Sequence, residues 1–79
     1  MTGKVARILT DKKFGFIKGE DRKEYFFHKQ DYLGDFDDLA IDLETGRNLT
    51  VTFDSVPSTK GPRAGRVELT GREISNHDS

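Results

Sequence analysis

Three kinds of side chain in this sequence are placed to act together: phenylalanines at alternate positions, a histidine near them, and cations on their flanks. Phe14 and Phe16 are separated by Gly15 in Lys13-Phe14-Gly15-Phe16-Ile17, and a short charged stretch leads on to Tyr25-Phe26-Phe27-His28. In an extended segment side chains alternate between faces, so Phe14 and Phe16 share one, and Gly15 leaves the other uncrowded. Lys12, Lys13 and Lys18 frame the pair. Rings on one strand face beside cations make a platform on which bases stack while phosphates meet charge at the rim. A second use fits the same pattern: Phe14, Phe16, Phe26 and Phe27 could all fill the core of a short chain. Pattern alone leaves both open.

Other chemistries find no footing. There is no glycine-rich phosphate loop ending in Lys-Ser/Thr, no zinc spacing and no nucleophile elbow. Ser55, Ser58, Ser75 and Ser79 fall in expected loops or at the end of the chain, without an evident base. No catalytic residue is expected. Asp35-Phe36-Asp37-Asp38 lacks the spacing and central glycine of a calcium loop. Only two histidines, His28 and His77, are present, so neither a metal nor a cofactor is expected. Cysteine is absent, which excludes disulfides and thiolate metal sites and fits a reducing compartment. No apolar run reaches the length of a membrane span, and the amino terminus has no apolar signal region. The expectation is a cytoplasmic monomer with no membrane contact.

Charge distribution decides more than its total. The 79 residues carry a net charge of −1, with 34% charged and 33% hydrophobic residues. That length allows one domain with a small core. Such polarity raises the question of disorder, which low net charge and clear strand patterning answer. Residues 1 to 30 hold eight basic and four acidic side chains, residues 31 to 56 one basic and seven acidic, and residues 57 to 79 four basic and three acidic. Positive charge travels with the aromatic motifs, and negative charge is segregated from them.

The elements that must position these groups read mostly as strands. Gly3 to Leu9 is the first; its adjacent Ile8 and Leu9 break the alternation and predict a bulge or bend near Arg7. Thr10 to Lys13 is a turn, Phe14 to Lys18 the second strand, Gly19 to Lys23 a hairpin loop, and Glu24 to His28 the third strand. Both faces of that third strand are aromatic, so periodicity does not decide which is buried. The acidic connection from Lys29 to Gly46 has apolar residues at Tyr32, Leu33, Phe36, Leu39 and Leu43, a spacing that predicts a turn or two of helix. From Asn48 to Ser55 the alternation is clean, with Leu49, Val51 and Phe53 inward. A loop follows, then a last strand from Arg63 to Leu69 with Val67 and Leu69 buried. Residues 1–70 are expected to form the domain and 71–79 a flexible tail.

At these same residues the chain resembles the bacterial cold-shock domain. Lys13-Phe14-Gly15-Phe16-Ile17 is similar to the family's first ribonucleoprotein motif, usually Lys-Gly-Phe-Gly-Phe-Ile. Tyr25-Phe26-Phe27-His28 is similar to its second, usually Val-Phe-Val-His, and Lys60-Gly61-Pro62-Arg63-Ala64-Gly65-Arg66-Val67 to its closing segment, Lys-Gly-Pro-Ala-Ala-Gly-Asn-Val. The three matches come in order and span about Gly3 to Leu69. The resemblance implies an all-β, five-stranded antiparallel Greek-key barrel of the OB type that binds single-stranded RNA or DNA across its second and third strands. It turns Phe26 and His28 outward beside Phe14 and Phe16, and places Tyr25 and Phe27 in the core.

The site then implied comprises Phe14, Phe16, Phe26 and His28, with Arg7, Lys12, Lys13, Lys29, Lys60 and Arg63 around them, and Phe36 as an extra aromatic contact from the acidic connection. Departures matter: Ala6-Arg7-Ile8 stands where the family has Lys-Trp-Phe, and Lys29 where it has phenylalanine. Three ring positions are lost and charge is gained, which predicts weaker, more salt-dependent binding than is usual in the family. The acidic connection also admits an alternative, a protein-interaction module whose basic partner docks on residues 31 to 44.

Overall fold

The computed structural model describes residues 1–59 and 61–74, the last three by backbone alone. Five strands make up most of it: β1 (Thr2–Leu9), β2 (Phe14–Gly19), β3 (Glu24–His28), β4 (Arg47–Val56) and β5 (Arg63–Ile74). A 3-10 turn at Lys29–Asp31 and one helix, α1 (Phe36–Glu44), fill the connection between β3 and β4. The strands close into a barrel in the order β1-β2-β3-β5-β4, with β4 returning to β1. The β1 and β4 strands, which would otherwise be sheet edges, are thereby paired.

Each strand's inner face is its apolar alternate set. Val5, Ile17, Tyr25, Phe27, Leu49, Val51, Phe53, Ala64 and Val67 meet in one core, with Ile8 and Leu69 partly buried against it. The register of β1 on β2 slips between Val5 and Arg7. This is the bulge that the adjacent Ile8 and Leu9 require, and it sets Arg7 opposite Phe16. Gly15 lies where β1 and the core ring both press close. A Cβ there would come within 2.8 Å of the Arg7 carbonyl oxygen and 2.9 Å of the Phe27 ring.

The connection holds more helix than the spacing predicts. Asp35 starts it: its carboxylate accepts the backbone N–H groups of Asp37 and Asp38 at 3.1 and 3.3 Å, a standard N-cap that offsets unpaired amides and the positive helix end. Helix α1 then runs nine residues and turns Phe36, Leu39 and Ala40 into the protein. No helix among the described residues is long and apolar enough to cross a membrane.

The end of β5 corrects the expectation of a tail from residue 71. Gly71, Arg72, Glu73 and Ile74 pair with Thr50, Leu49, Asn48 and Arg47. Because β4 begins at Arg47, its backbone groups are available to satisfy those of β5, and the strand continues. The rest of the expected tail, residues 75–79, lies outside the described residues.

Among the described residues, the β2–β3 loop and the start of β3 carry a coupled electrostatic perturbation. The Tyr25 hydroxyl donates to Asp21 Oδ2 at 2.6 Å, and the Lys23 N–H donates to Asp21 Oδ1 at 3.1 Å. Chiefly through the Tyr25 hydroxyl, then the Lys23 amide, the Asp21 carboxyl is held below its ordinary 3.8. The Tyr25 phenol is pushed above its ordinary 10.0, first by that same bond and then by burial. A depressed carboxyl adds stability above its unfolded pKa and loses it as pH falls through the folded one. A raised phenol adds stability below its unfolded pKa and loses it as pH rises toward the folded one. Tyr25→Phe is therefore expected to lower the thermal midpoint by a constant amount from about pH 5 to about pH 9, with the gap to wild type narrowing outside that window. Parallel melts of the two proteins across pH check this; a gap that persists undiminished at pH 2 refutes it.

Candidate nucleic-acid interface

Pairing of β2 with β3 assembles the site. Phe14 sits opposite His28 and Phe16 opposite Phe26, while Gly15 faces Phe27 and Ile17 faces Tyr25. The first set points outward and the second inward: Phe27 and Ile17 are fully buried, whereas Phe14, Phe16, Phe26 and His28 are half-buried. The two aromatic faces of β3 are thus resolved in favour of Phe26 and His28 on the surface.

The three outward phenyl rings form one cluster. Centroids of Phe14 and Phe26 lie 5.1 Å apart with planes tilted by 44°. Phe14 to Phe16 is 5.7 Å and edge-on, and Phe16 to Phe26 is 6.0 Å and edge-on. The two edge-on contacts are of the kind that ring quadrupoles favour, and the cluster holds each ring without fully burying it. The Arg7 guanidinium carbon stands 4.8 Å from the Phe16 centroid. A cation thereby extends the cluster onto β1 in place of another ring, held by cation–π attraction. A groove of about 460 Å³ opens beside Phe16 and Phe26, walled by Ser58, Gly61, Pro62 and Arg63.

The rim is held by backbone and caps. Lys13 adopts a left-handed conformation, φ 61, which turns the chain from β1 into β2. Its carbonyl accepts the Lys29 N–H at 2.9 Å, so the two basic corners are tied together. Lys12, Lys13 and Lys29 are all exposed. His28 Nδ1 accepts the Gln30 N–H at 3.2 Å. A neutral ring whose Nδ1 accepts carries its proton on Nε2, which is left as a donor.

One sequence-derived site residue falls elsewhere, and another is held by a carboxylate. Phe36, expected as an extra aromatic contact, is 2% exposed. Its ring packs edge-on against Phe27 at 6.0 Å. The Asp35 cap fixes the start of α1 so that Phe36 enters the core, and no base can reach it; that assignment is corrected. Arg63 lies at the platform's edge, but its guanidinium is engaged by Asp31 at 3.0 to 3.3 Å. Lys60 lies outside the described residues. Asp31 itself escaped the sequence reading. Its carboxylate also accepts the His28 N–H at 2.9 Å, completing a reciprocal cap with the His28 side chain. The signal was available in the spacing His28-x-x-Asp31, an acid three residues after a capping side chain. Among the described residues no group of three or more His, Cys, Asp and Glu is placed to hold a metal ion.

A closed five-stranded barrel with clustered rings on its second and third strands defines an OB-type barrel with a surface suited to bases. The chain belongs to the cold-shock domain family: the family model described as the 'Cold-shock' DNA-binding domain matches residues 1–70. Cold shock protein 1 of Lactiplantibacillus plantarum is 38% identical over 69 residues, covering 82% of this chain and 91% of that protein. Membership in this family implies nucleic-acid binding.

Proposed function

We propose that the protein binds single-stranded RNA or DNA with little base preference and, as a cytoplasmic monomer, keeps strands unpaired. Bases stack on Phe14, Phe16 and Phe26 with His28 beside them, and phosphates meet Arg7, Lys12, Lys13 and Lys29. Occupying the open strand shifts the duplex equilibrium by mass action, which is RNA chaperoning without ATP. One observation carries this reading: three phenyl rings on one face stay half-exposed and support each other at 5.1 to 6.0 Å, although a separate aromatic set already fills the core.

The test is a salt titration on oligo-dT and oligo-U. Each phosphate neutralised on a single strand contributes about −0.7 to the slope of log affinity against log salt, so four rim cations predict a slope near −3. Neutral stacking alone would give a slope near zero and would contradict the assigned rim. The second reading, a protein-interaction module on residues 31 to 44, is favoured by Ile41, which is 58% exposed on the acidic helix α1. Wild-type protein that shifts no single strand even at low salt would favour that reading over the first.

A further inference from the structure

Arg63 borders the platform: it pairs with Phe26 across the β3–β5 junction and walls the groove beside Phe16 and Phe26. Its position invites a phosphate. Its partner argues otherwise, and we propose that Asp31 withholds Arg63 from nucleic acid, so that the pair is a structural clasp and Asp31 limits the affinity of the face. This rests on the platform reading above.

The geometry of the pair is specific. Arg63 Nη2 lies 3.2 Å from Asp31 Oδ1 and 3.0 Å from Oδ2, and Nε lies 3.3 Å from Oδ2. One edge of the guanidinium, Nε with Nη2, is thus spent on one carboxylate, a forked pairing that carries geometric specificity as well as charge neutralisation. The acceptor is also fixed from behind. Asp31 closes the 3-10 turn after β3 and takes the His28 N–H at 2.9 Å. Its side chain is only 17% exposed against 45% for that of Arg63. An incoming phosphate would meet an arginine whose charge is already balanced by a carboxylate that stays in place and repels it.

The clasp also has structural work. β3 and β5 run parallel and share a single residue pair, Phe26 with Arg63. The junction is otherwise held by the Phe26 N–H to the Pro62 carbonyl at 3.2 Å and the Leu33 N–H to the Val67 carbonyl at 2.7 Å. The ion pair spans that seam. No comparable ion pair within 4.0 Å engages Arg7, Lys12, Lys13 or Lys29 among the described residues.

Affinity and its salt slope on oligo-dT test the inference in three proteins. Asp31→Asn retains an oxygen for the His28 N–H while releasing the guanidinium. It is expected to bind at least twofold tighter at low salt, with a slope steeper by about 0.7, one added phosphate. The charge-neutral pair Asp31→Asn with Arg63→Gln is expected to match wild type within twofold and to keep its slope. An unchanged slope in Asp31→Asn overturns the inference, because freed Arg63 then finds no phosphate. A neutral pair shallower than wild type by about 0.7 also overturns it, because Arg63 must then leave Asp31 for phosphate in the wild-type complex. Thermal melts accompany each variant. If Asp31→Asn unfolds, Arg63→Lys keeps the charge without the fork and is read for the same steepening. Failure of the platform itself registers differently, as loss of any effect from removing Phe14 and Phe16, and wild type that binds no strand overturns both readings.

Discussion

Replacing Phe14 and Phe16 together by alanine is expected to reduce affinity for oligo-dT and oligo-U at least about thirtyfold and to leave the barrel folded. Each base–ring stack contributes about 1–3 kcal/mol, so two rings account for at least about 2 kcal/mol. The loss exceeds that lower bound if the cluster acts as a unit. Phe26 stands 5.1 Å from Phe14 and 6.0 Å from Phe16, so its orientation depends on both. Arg7 loses the ring it covers at 4.8 Å. The fold survives because the core set on the inner faces, Ile17, Tyr25 and Phe27, is untouched. Fluorescence anisotropy for binding and a thermal melt for folding check the two halves separately. Binding unchanged within twofold would remove the platform from the mechanism.

Phe36→Ala gives the reverse pattern: the domain loses most of its stability, and any protein that remains folded binds as wild type does. Truncating a fully buried phenylalanine costs about 3–5 kcal/mol through lost burial and the cavity left behind. A domain of this size has a total stability of about 4–12 kcal/mol, so the change consumes a large share of it. The melting midpoint is expected to fall by at least about 12 °C. Chemical denaturation measures the loss, and oligonucleotide titration of the folded fraction measures the rest. A stable Phe36→Ala protein with weakened binding would return Phe36 to the interface.

These two phenylalanine sites mark the limit of what could be read in advance. Strand periodicity identified β2 and the inward set of β4, and the adjacency of Ile8 and Leu9 was enough to expect the bulge beside Arg7. Period-two logic fails where both faces of a strand are aromatic, as in Tyr25-Phe26-Phe27-His28; only pairing with β2 decides which pair is outside. Phe36 is misplaced by sequence for a different reason. The family resemblance assigned it to the interface because the connection there often supplies an aromatic contact, whereas the Asp35 cap begins a helix that turns this residue inward. Arg63 counted as one more rim cation because an ion pair between residues so distant in sequence is invisible without the β3–β5 junction. The continuation of β5 to Ile74 was hidden because the segment has few apolar residues, while its pairing depends on backbone groups offered by β4.

The arrangement of the barrel's closing seam has a consequence for the protein's birth. All four outward aromatic groups belong to a meander complete by His28, yet β3 gains its second neighbour only from β5, through Arg63. At ribosomal speeds of about 5–20 residues per second, the remaining segments through Ile74 take about 2 to 9 s to emerge. During that interval the nascent meander presents its outward rings while both of its outer strands lack partners. Newly made chains therefore pass through a half-built stage with two open strand edges, which β4 and β5 later close.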